Sequence, residues 1–566
     1  MIFKSLLPDE NIPNVDLATY IFEKGKQQAQ KSNKNSAYAI YDEETGQKYT
    51  IDQLEQESAR FASGLVNKLG FQTDSTLMIF STNSANFVVT LLGTLMVGGI
   101  LTFANPVYTP AELTHQIKDS KPTYIATKRE SLPVALKALQ LSGANIPMSH
   151  FIILDHNAND IHDSTTPIAK LFDNRPFTRF AFGGKFPDSD GKTAFLPYSS
   201  GTTGLGKGVI LSHKNIVANI IQIDVLDKYN DWHTDRSFTH RYIGVLPWYH
   251  IYGLVTCLCF GLSNDVGIVS VTKFEMEKFL SIVQEEKITL AHLVPPILIN
   301  LTNSPLVSQY DITSIKVVTT AAAPIGKELM ETLGKKFPFF RMTKLYGVTE
   351  SSPIISAAPN WNTNIESSGI LSCNIESKVI DDDGNELGVN GIGELLFRGP
   401  NMMKGYLNNK QATEDTLDKD EFLHTGDIGY YDETGNLYVV DRKKELIKYK
   451  GYQVPPAELE ALLLGNEDVA DCAVIGIYVD EQATEVPKAF ITLKTHHLNK
   501  SDSEKLKIAN RVKLWVQERV APYKRLRGGV EILDIIPKSN AGKILRRLLR
   551  DMEKAKKSLD GQKPKL

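Results

Sequence analysis

Apolar, β-branched runs alternate with segments of helical period through the first part of the chain. The stretches "STLMIFS" (75–81), "KPTYIAT" (121–127) and "SHFIILD" (149–155) predict buried strands, each separated from the next by a segment able to form a helix. Such alternation predicts parallel sheets covered by helices. The uncharged run "FVVTLLGTLMVGGILTF" (87–103) is just short of a membrane span and is interrupted by Gly93, Gly98 and Gly99. It predicts a buried helix leading into a buried strand. Farther on, "IESKVIDDDGNELGVNGIGELLFRGP" (375–400) sets turn signals between short strands, the pattern of a small antiparallel unit. After a charged connector at 441–450, "PPAELEALLLGNEDVADCAVIGIYVD" (455–480) predicts a helix and then a strand. The expected fold class is therefore α/β: a large N-terminal domain, 1–440, of helix-covered parallel sheets with an antiparallel β unit, and a small mobile α+β C-terminal domain, 441–566.

Length and composition narrow this picture. At 566 residues the chain is too long for one simple core. A net charge of −3 excludes a general nucleic-acid binder, which would carry a basic excess. The cysteines, Cys257, Cys259, Cys373 and Cys472, are scattered and form no zinc pattern, which suits a reducing compartment. The N-terminus lacks the apolar core of a secretory leader, so a soluble protein is expected.

Candidate chemistry lies in four stretches. "YSSGTTGLGKG" (198–208) satisfies most of a G-x-x-x-x-G-K phosphate loop, but Gly208 stands where Ser or Thr would hold Mg²⁺. The following "GVILSH" reads as a strand, so no helix N-terminus faces the phosphates as in a nucleotide hydrolase. A loop dense in Gly, Ser and Thr still offers N–H groups and hydroxyls to phosphate oxygens, and Lys207 adds a charge. "LYGVTE" (345–350) sets an aromatic ring, a hydroxyl and a carboxylate together: Tyr346 for a base, Thr349 for a phosphate, Glu350 for Mg²⁺. In "LHTGDIGYYDETGNLYVVDRKKELIKYKG" (423–451), Asp427 can accept ribose hydroxyls and Arg442 can add a charged bond. "PKSNAGKILRR" (537–547) places Lys543 in a small-residue loop. Taken singly, each also reads as an ordinary turn or a solvated face.

In this order and over essentially the whole chain, the four stretches resemble the acyl-adenylate-forming superfamily, which includes acyl-CoA synthetases, luciferases and peptide-synthetase adenylation domains. The pattern is nearest the plant 4-coumarate–CoA ligase type, through "PWYHIYG" (247–253), "YGVTESSP" (346–353), "HTGDIGYYDE" (424–433) and "VDRKKELIKYKGYQVPPAELE" (440–460) as well. The loop at 198–208 then resembles the family's own phosphate loop, with Gly206 at a position those ligases usually fill with proline.

The resemblance implies an ATP-dependent carboxylate–CoA ligase, which forms acyl-AMP and pyrophosphate and then acyl-CoA and AMP. Its implied cofactors and cosubstrates are ATP, Mg²⁺ and coenzyme A. By similarity, Ser199, Ser200, Gly201, Thr202, Thr203, Gly204 and Lys207 hold the triphosphate and Glu350 the metal. Ala322 and Ala323 line the adenine side with Tyr346 and Gly347, Thr349 contacts phosphate, Asp427 and Arg442 bind ribose, and Gln453 contacts the nucleotide. Lys543 reaches in from the small domain for adenylation, and His250 gates the acyl carboxylate. A rotation about a hinge at Asp441 is implied to present Lys448, Lys450 and Gly451, with Lys444 nearby, for the second step, while Lys273 contacts the nucleotide of CoA. Tyr252, Thr256, Leu345, Pro353 and Ile354 are expected to line the acyl pocket. Leu345 stands where the coumarate ligases usually have glycine, so the substrate is expected to be an aryl acid or a medium-chain fatty acid.

Alternative readings are a luciferase-like adenylating oxygenase and a non-catalytic acyl or nucleotide binder on the same fold. The partners expected are small molecules, with neither nucleic acid nor a transmembrane segment. The C-terminal Pro564-Lys565-Leu566 differs from the peroxisomal address S-K-L only at its first position, so a peroxisomal location through the import receptor is expected, with the cytoplasm as the alternative.

Overall fold

The structure, a computed structural model, describes the chain except residues 32–36, 156–163, 181–188, 200–205, 230–238, 324, 360–361, 363, 451, 480–481, 483, 499, 540–541 and 561–566, and the side chains of 328 and 557–560. The large unit holds two extended sheets. In the eight-stranded sheet, Thr193–Ser199, Ile100–Phe103, Thr76–Phe80, Tyr124–Thr127, Phe151–Ile153 and Thr166–Pro167 run parallel in that spatial order. Lys207–Ser212 and Gly405–Tyr406 extend it antiparallel at one edge. The nine-stranded sheet is parallel from Arg341–Gly347 through Val317–Thr320, Leu290–Leu293, Arg241–Gly244 and Gly267–Ser270 to Ile40–Asp42, with antiparallel strands at both ends. The apolar strand runs of the sequence are buried in these sheets because helices cover both faces.

The helices begin where side chains can satisfy their first N–H groups. Thr50 caps Ile51–Leu69 and Ser212 caps His213–Lys228, contributions of about 1 kcal/mol each. The uncharged run at 87–103 forms the helix Ala85–Met96, buried on every side, and then the strand Ile100–Phe103. No described helix is long and apolar enough to cross a membrane.

A five-stranded antiparallel sheet joins Phe3–Lys4, Glu376–Ile380, Gly393–Arg398, Leu423–Tyr431 and Leu437–Arg442. Its last strand keeps its pairing to Arg442, opposite Asp427. Beyond it, Ile447 and Tyr449 pack into a separate core with Val454, Leu459 and Val474. Asp441 thus lies in the last strand of the large unit while its carboxylate also accepts from Ala457 N of the small unit, whose core begins at Ile447. The small unit pairs Ile447–Tyr449 with Tyr452–Val454 in a hairpin and sets the helix Pro456–Leu464 against a sheet of Val469–Val479, Thr484–Leu493 and Val530–Ile532.

Candidate active site

The site collects strand ends of the large unit and the Lys543 turn of the small unit. Tyr346 closes the strand Arg341–Gly347, and its hydroxyl donates to Asp427 Oδ2 at 2.7 Å. Arg442, directly opposite Asp427 in the register, places Nε 3.2 Å from Oδ1. Burial pushes the Asp427 carboxyl above its ordinary range, and Arg442, the Tyr346 hydroxyl and Lys543 pull against it. In turn the Asp427 charge raises the Arg442 guanidinium. The pair offers a fixed anion and a fixed cation at the mouth of the antiparallel sheet.

Gly347 follows because nothing larger fits: a Cβ there would stand 1.9 Å from the carbonyl oxygen of Pro353. That close approach turns the chain into Thr349–Ser351, which carries Glu350. Tyr406 donates to Glu350 Oε1 at 2.8 Å, and the Nζ of Lys207 lies 3.8 Å from the centre of the Tyr406 ring. Burial lowers the Lys207 ammonium from its usual range, with Glu350 opposing. Ser199 faces Lys207 in the register, and its Oγ is buried with no partner among the described residues. The nearby residues Ser200, Gly201, Thr202, Thr203 and Gly204, like Gly451, lie outside the described residues.

On the other wall, Ala322 and Ala323 follow the strand Val317–Thr320, and Ala322 has φ of +72°. An alanine in this left-handed region is strained by about 1–2 kcal/mol, a feature that clusters at binding sites. The loop leading to His250 is held by buried Asn83. Its amide donates to the carbonyls of Gly244 and Leu246 and accepts from Trp248 N. His250 is half-buried, and burial followed by the Lys543 charge lowers its imidazole to about 4. It is therefore neutral at physiological pH and acts as a polar ring without charge. Past it the chain forms a π-helical turn, Tyr252–Cys259, an element frequent at functional sites.

Tyr252 and Thr256 of that turn are buried. The Tyr252 hydroxyl lies 3.1 Å from Thr319 Oγ1, which is 2.6 Å from His292 Nδ1. Thr256 Oγ1 is buried with no partner among the described residues. Leu345 packs half-buried between the two large cores, and Pro353 and Ile354 are buried beside the same strand end. Of these, Tyr252 and Leu345 pack in the same core.

Lys543 arrives from the small unit. Its turn rests on the large unit: Gly542 has φ of +78°, and a Cβ there would meet Pro296 and Val294 side-chain atoms at 3.2–3.3 Å. Burial and the Arg442 charge lower the Lys543 ammonium, while Glu350, Asp427 and Glu445 raise it. Lys543, Arg442, Asp427, Glu350 and His250 thus share one electrostatic neighbourhood. Lys448, Lys450 and Gln453 do not join it. They lie exposed on the small unit's hairpin, where Lys448 N donates to Glu485, Lys450 N donates to Thr484 Oγ1, and Gln453 stands opposite Lys448. Lys444 is exposed but its charge is felt by Lys207. Lys273 is 81 % exposed, within 3.6 Å of Glu275. Asp441 is buried and fixed on both sides, accepting from Arg442 N at 2.7 Å and Ala457 N at 2.9 Å. Tyr406 had no part in the sequence-based expectation, because "KGYLNN" reads only as a turn.

Residues 26–407 match the AMP-binding enzyme family, and residues 458–543 match the AMP-binding enzyme C-terminal domain. The chain belongs to the AMP-binding enzyme family. This AMP-binding enzyme is 38% identical over 565 residues to 4-coumarate–CoA ligase 2 of Petroselinum crispum, covering 97% of the chain and 96% of the relative. It is 37% identical over 569 residues to 4-coumarate–CoA ligase 2 of Nicotiana tabacum, covering 97% of each. Among solved structures, an anthranilate CoA ligase in complex with anthranoyl-AMP superposes with a TM-score of 0.81 at 22% identity, covering 96% of this chain and 99% of that one. A benzoate CoA ligase from Burkholderia xenovorans LB400 gives 0.77 at 22% identity, covering 94% and 99%. At these identities the two structures speak for the fold alone.

Proposed function

We propose that the protein activates an aryl carboxylic acid at this site and passes it to the thiol of coenzyme A. The protein is an AMP-forming acid–CoA ligase of the acyl-adenylate-forming superfamily. One observation carries the assignment of roles: Lys543 of the small unit stands with Glu350, Asp427, Arg442 and His250 of the site.

In the first step a carboxylate oxygen attacks the α-phosphorus of ATP and pyrophosphate leaves. Both partners are anionic, so the barrier is dominated by charge. Lys543 neutralises the meeting oxygens, and Lys207 with Ser199 and the adjoining loop residues takes the leaving triphosphate end. Asp427 and Arg442 orient the ribose, while Tyr346, Gly347, Ala322 and Ala323 border the base and Thr349 a phosphate. The neutral His250 lies against the acyl carboxylate without competing for its charge. Glu350 fits a magnesium ion accompanying the triphosphate. A hard cation takes oxygen ligands, and Oε2 of Glu350 makes no hydrogen bond or ion pair among the described residues while Tyr406 holds Oε1. Bound there, the ion would screen phosphate charge.

In the second step the thiol sulfur of CoA attacks the acyl carbon and AMP leaves. Lys448 and Lys450, exposed on the small unit's hairpin, reach the site together with Gly451 by rotation of the small unit, while Gln453 contacts the nucleotide. The hinge is Asp441, near the end of the last strand paired in the large unit and just ahead of the first residues packed in the small core. Lys273, on the surface of the large unit, receives the nucleotide end of CoA. The acyl wall of Tyr252, Thr256, Leu345, Pro353 and Ile354 selects the acid. An aryl substrate follows from the coumarate-ligase relatives, with Leu345 narrowing the space for the ring. The reading extends to a peroxisomal address in Pro564-Lys565-Leu566, residues outside the described set; the location of a tagged chain with and without those three residues tests it.

The deciding experiment is pyrophosphate release with ATP and Mg²⁺ against a panel of aryl acids and C4–C16 fatty acids, with and without CoA. Release that depends on an aryl acid, with the matching acyl-CoA formed, is expected. Release only with fatty acids would overturn the substrate class, and release without thioester would overturn the second step.

A further inference from the structure

We propose that Arg546 is the positioning residue of Lys543, fixing the lysine for adenylation without touching substrate; the role rests on the ligase reading above. In the turn that carries Lys543, the described residues on either side of the lysine are tied to one another by hydrogen bonds. Gly542 N donates to Ser539 O at 2.8 Å, Ser539 N to Lys543 O at 2.8 Å, and Lys543 N to Ser539 Oγ at 3.2 Å. At its base Lys538 bridges to Ile544 and Leu545 N donates to Pro537 O at 2.9 Å. Where such a turn points is set by what anchors its exit.

Arg546 follows Lys543 by three residues and opens the helix Arg546–Asp560. Only 11 % of its side chain is exposed, and its guanidinium is engaged on all sides. One terminal nitrogen donates to both Glu460 oxygens at 2.8 and 2.7 Å, the other pairs with Glu445, and Nε donates to Val474 O at 3.3 Å. Glu460 is itself held by Val474 N at 2.7 Å. A planar guanidinium bridging two carboxylates at fixed angles orients more strictly than an ammonium could.

The two carboxylates belong to the elements that matter. Glu460 lies on the helix Pro456–Leu464. Glu445 lies in the segment joining the units, its N–H donating to Arg442 O at 2.8 Å, and its charge acts on Lys543 directly. Arg546 therefore ties the lysine turn to the joining segment, which is itself hydrogen-bonded to Arg442. The hairpin bearing Lys448 and Lys450 is held by other groups, Glu485 and Thr484. Disturbing Arg546 should consequently act on the first half-reaction and leave the second.

The test measures the halves separately: acid-dependent pyrophosphate release, and thioester formation from chemically supplied acyl-AMP. Arg546→Lys keeps the charge and loses the fork. It is expected to slow the first half about 10- to 100-fold, the cost of displacing a reacting group by an ångström, and to change the second by less than about threefold. Glu445→Gln is expected to give the same one-sided loss, and the double variant little more than either single one. If Arg546→Lys does not fold, Glu445→Gln alone decides. Equal losses in both halves would make Arg546 a structural bolt and overturn the proposal, as would no loss in either. A wild-type chain that releases no pyrophosphate with any acid would overturn the ligase reading and this one with it.

Discussion

Tyr346→Phe removes a single oxygen from the site and leaves the ring in place. That oxygen donates to Asp427 at 2.7 Å, and Asp427 is only 4 % exposed, so water cannot readily replace it. A hydrogen bond to a charged group contributes about 1.5–3 kcal/mol to the ionised form, so its loss should raise the Asp427 carboxyl still further. The direction is unambiguous. Burial already pushes this carboxyl up, the Tyr346 hydroxyl favours its ionised form, and removing the donor moves it further up. In the proposed role it is the ionised carboxylate that would accept the ribose hydroxyls. Binding of ATP should therefore weaken as pH falls through the Asp427 pKa, and in the variant this acid limb should lie at higher pH. The assay is kcat/KM for ATP in pyrophosphate release across the pH range in which the wild type stays folded. Phenylalanine keeps the face that borders the base, so the high-pH plateau should change far less than the acid limb. A variant whose acid limb coincides with that of the wild type, or whose loss is the same at every pH, would refute the reasoning.

Three further changes follow from the same geometry. Lys543→Ala should abolish acid-dependent pyrophosphate release yet spare thioester formation from supplied acyl-AMP, and Lys448→Ala should do the reverse; single-turnover measurement of each half would show otherwise if both lysines served one step. Leu345→Gly should alter the ratio of kcat/KM between bulky and slender acids by about 10- to 200-fold, the range one apolar side chain commands in a pocket. An unchanged ratio would remove Leu345 from the acyl wall. Gly347→Ala forces a Cβ to within 1.9 Å of the Pro353 carbonyl, and such overpacking costs about 1–3 kcal/mol, to be read as a lower urea midpoint; an unshifted midpoint would contradict the close approach.

What the residues disclosed in advance was local chemistry on regular elements. The runs at 75–81, 121–127 and 149–155 became strands of one parallel sheet because fully buried strands must be apolar on both faces, which composition reveals. Asp427 and Arg442 were nameable singly, but the register that sets them face to face across two strands is a property of the sheet. The unit boundary was harder. Leu437–Arg442 and Ile447–Tyr449 are both short strands with charged neighbours, and only the pairing partners show that they belong to different sheets. Nothing in the sequence sets Arg546 apart from its neighbours Arg547 and Arg550. Its burial depends on Glu445 and Glu460, 101 and 86 residues away, and no periodicity carries that information. The same holds for Tyr406, 56 residues from Glu350. In this fold, groups that would touch substrate lie in short Gly-, Ser- and Thr-rich stretches that can be recognised locally. The groups that aim them are ordinary residues whose role arises from long-range ion pairing, so the adenylating arrangement is specified by contacts such as Arg546–Glu445 as much as by Lys543 itself.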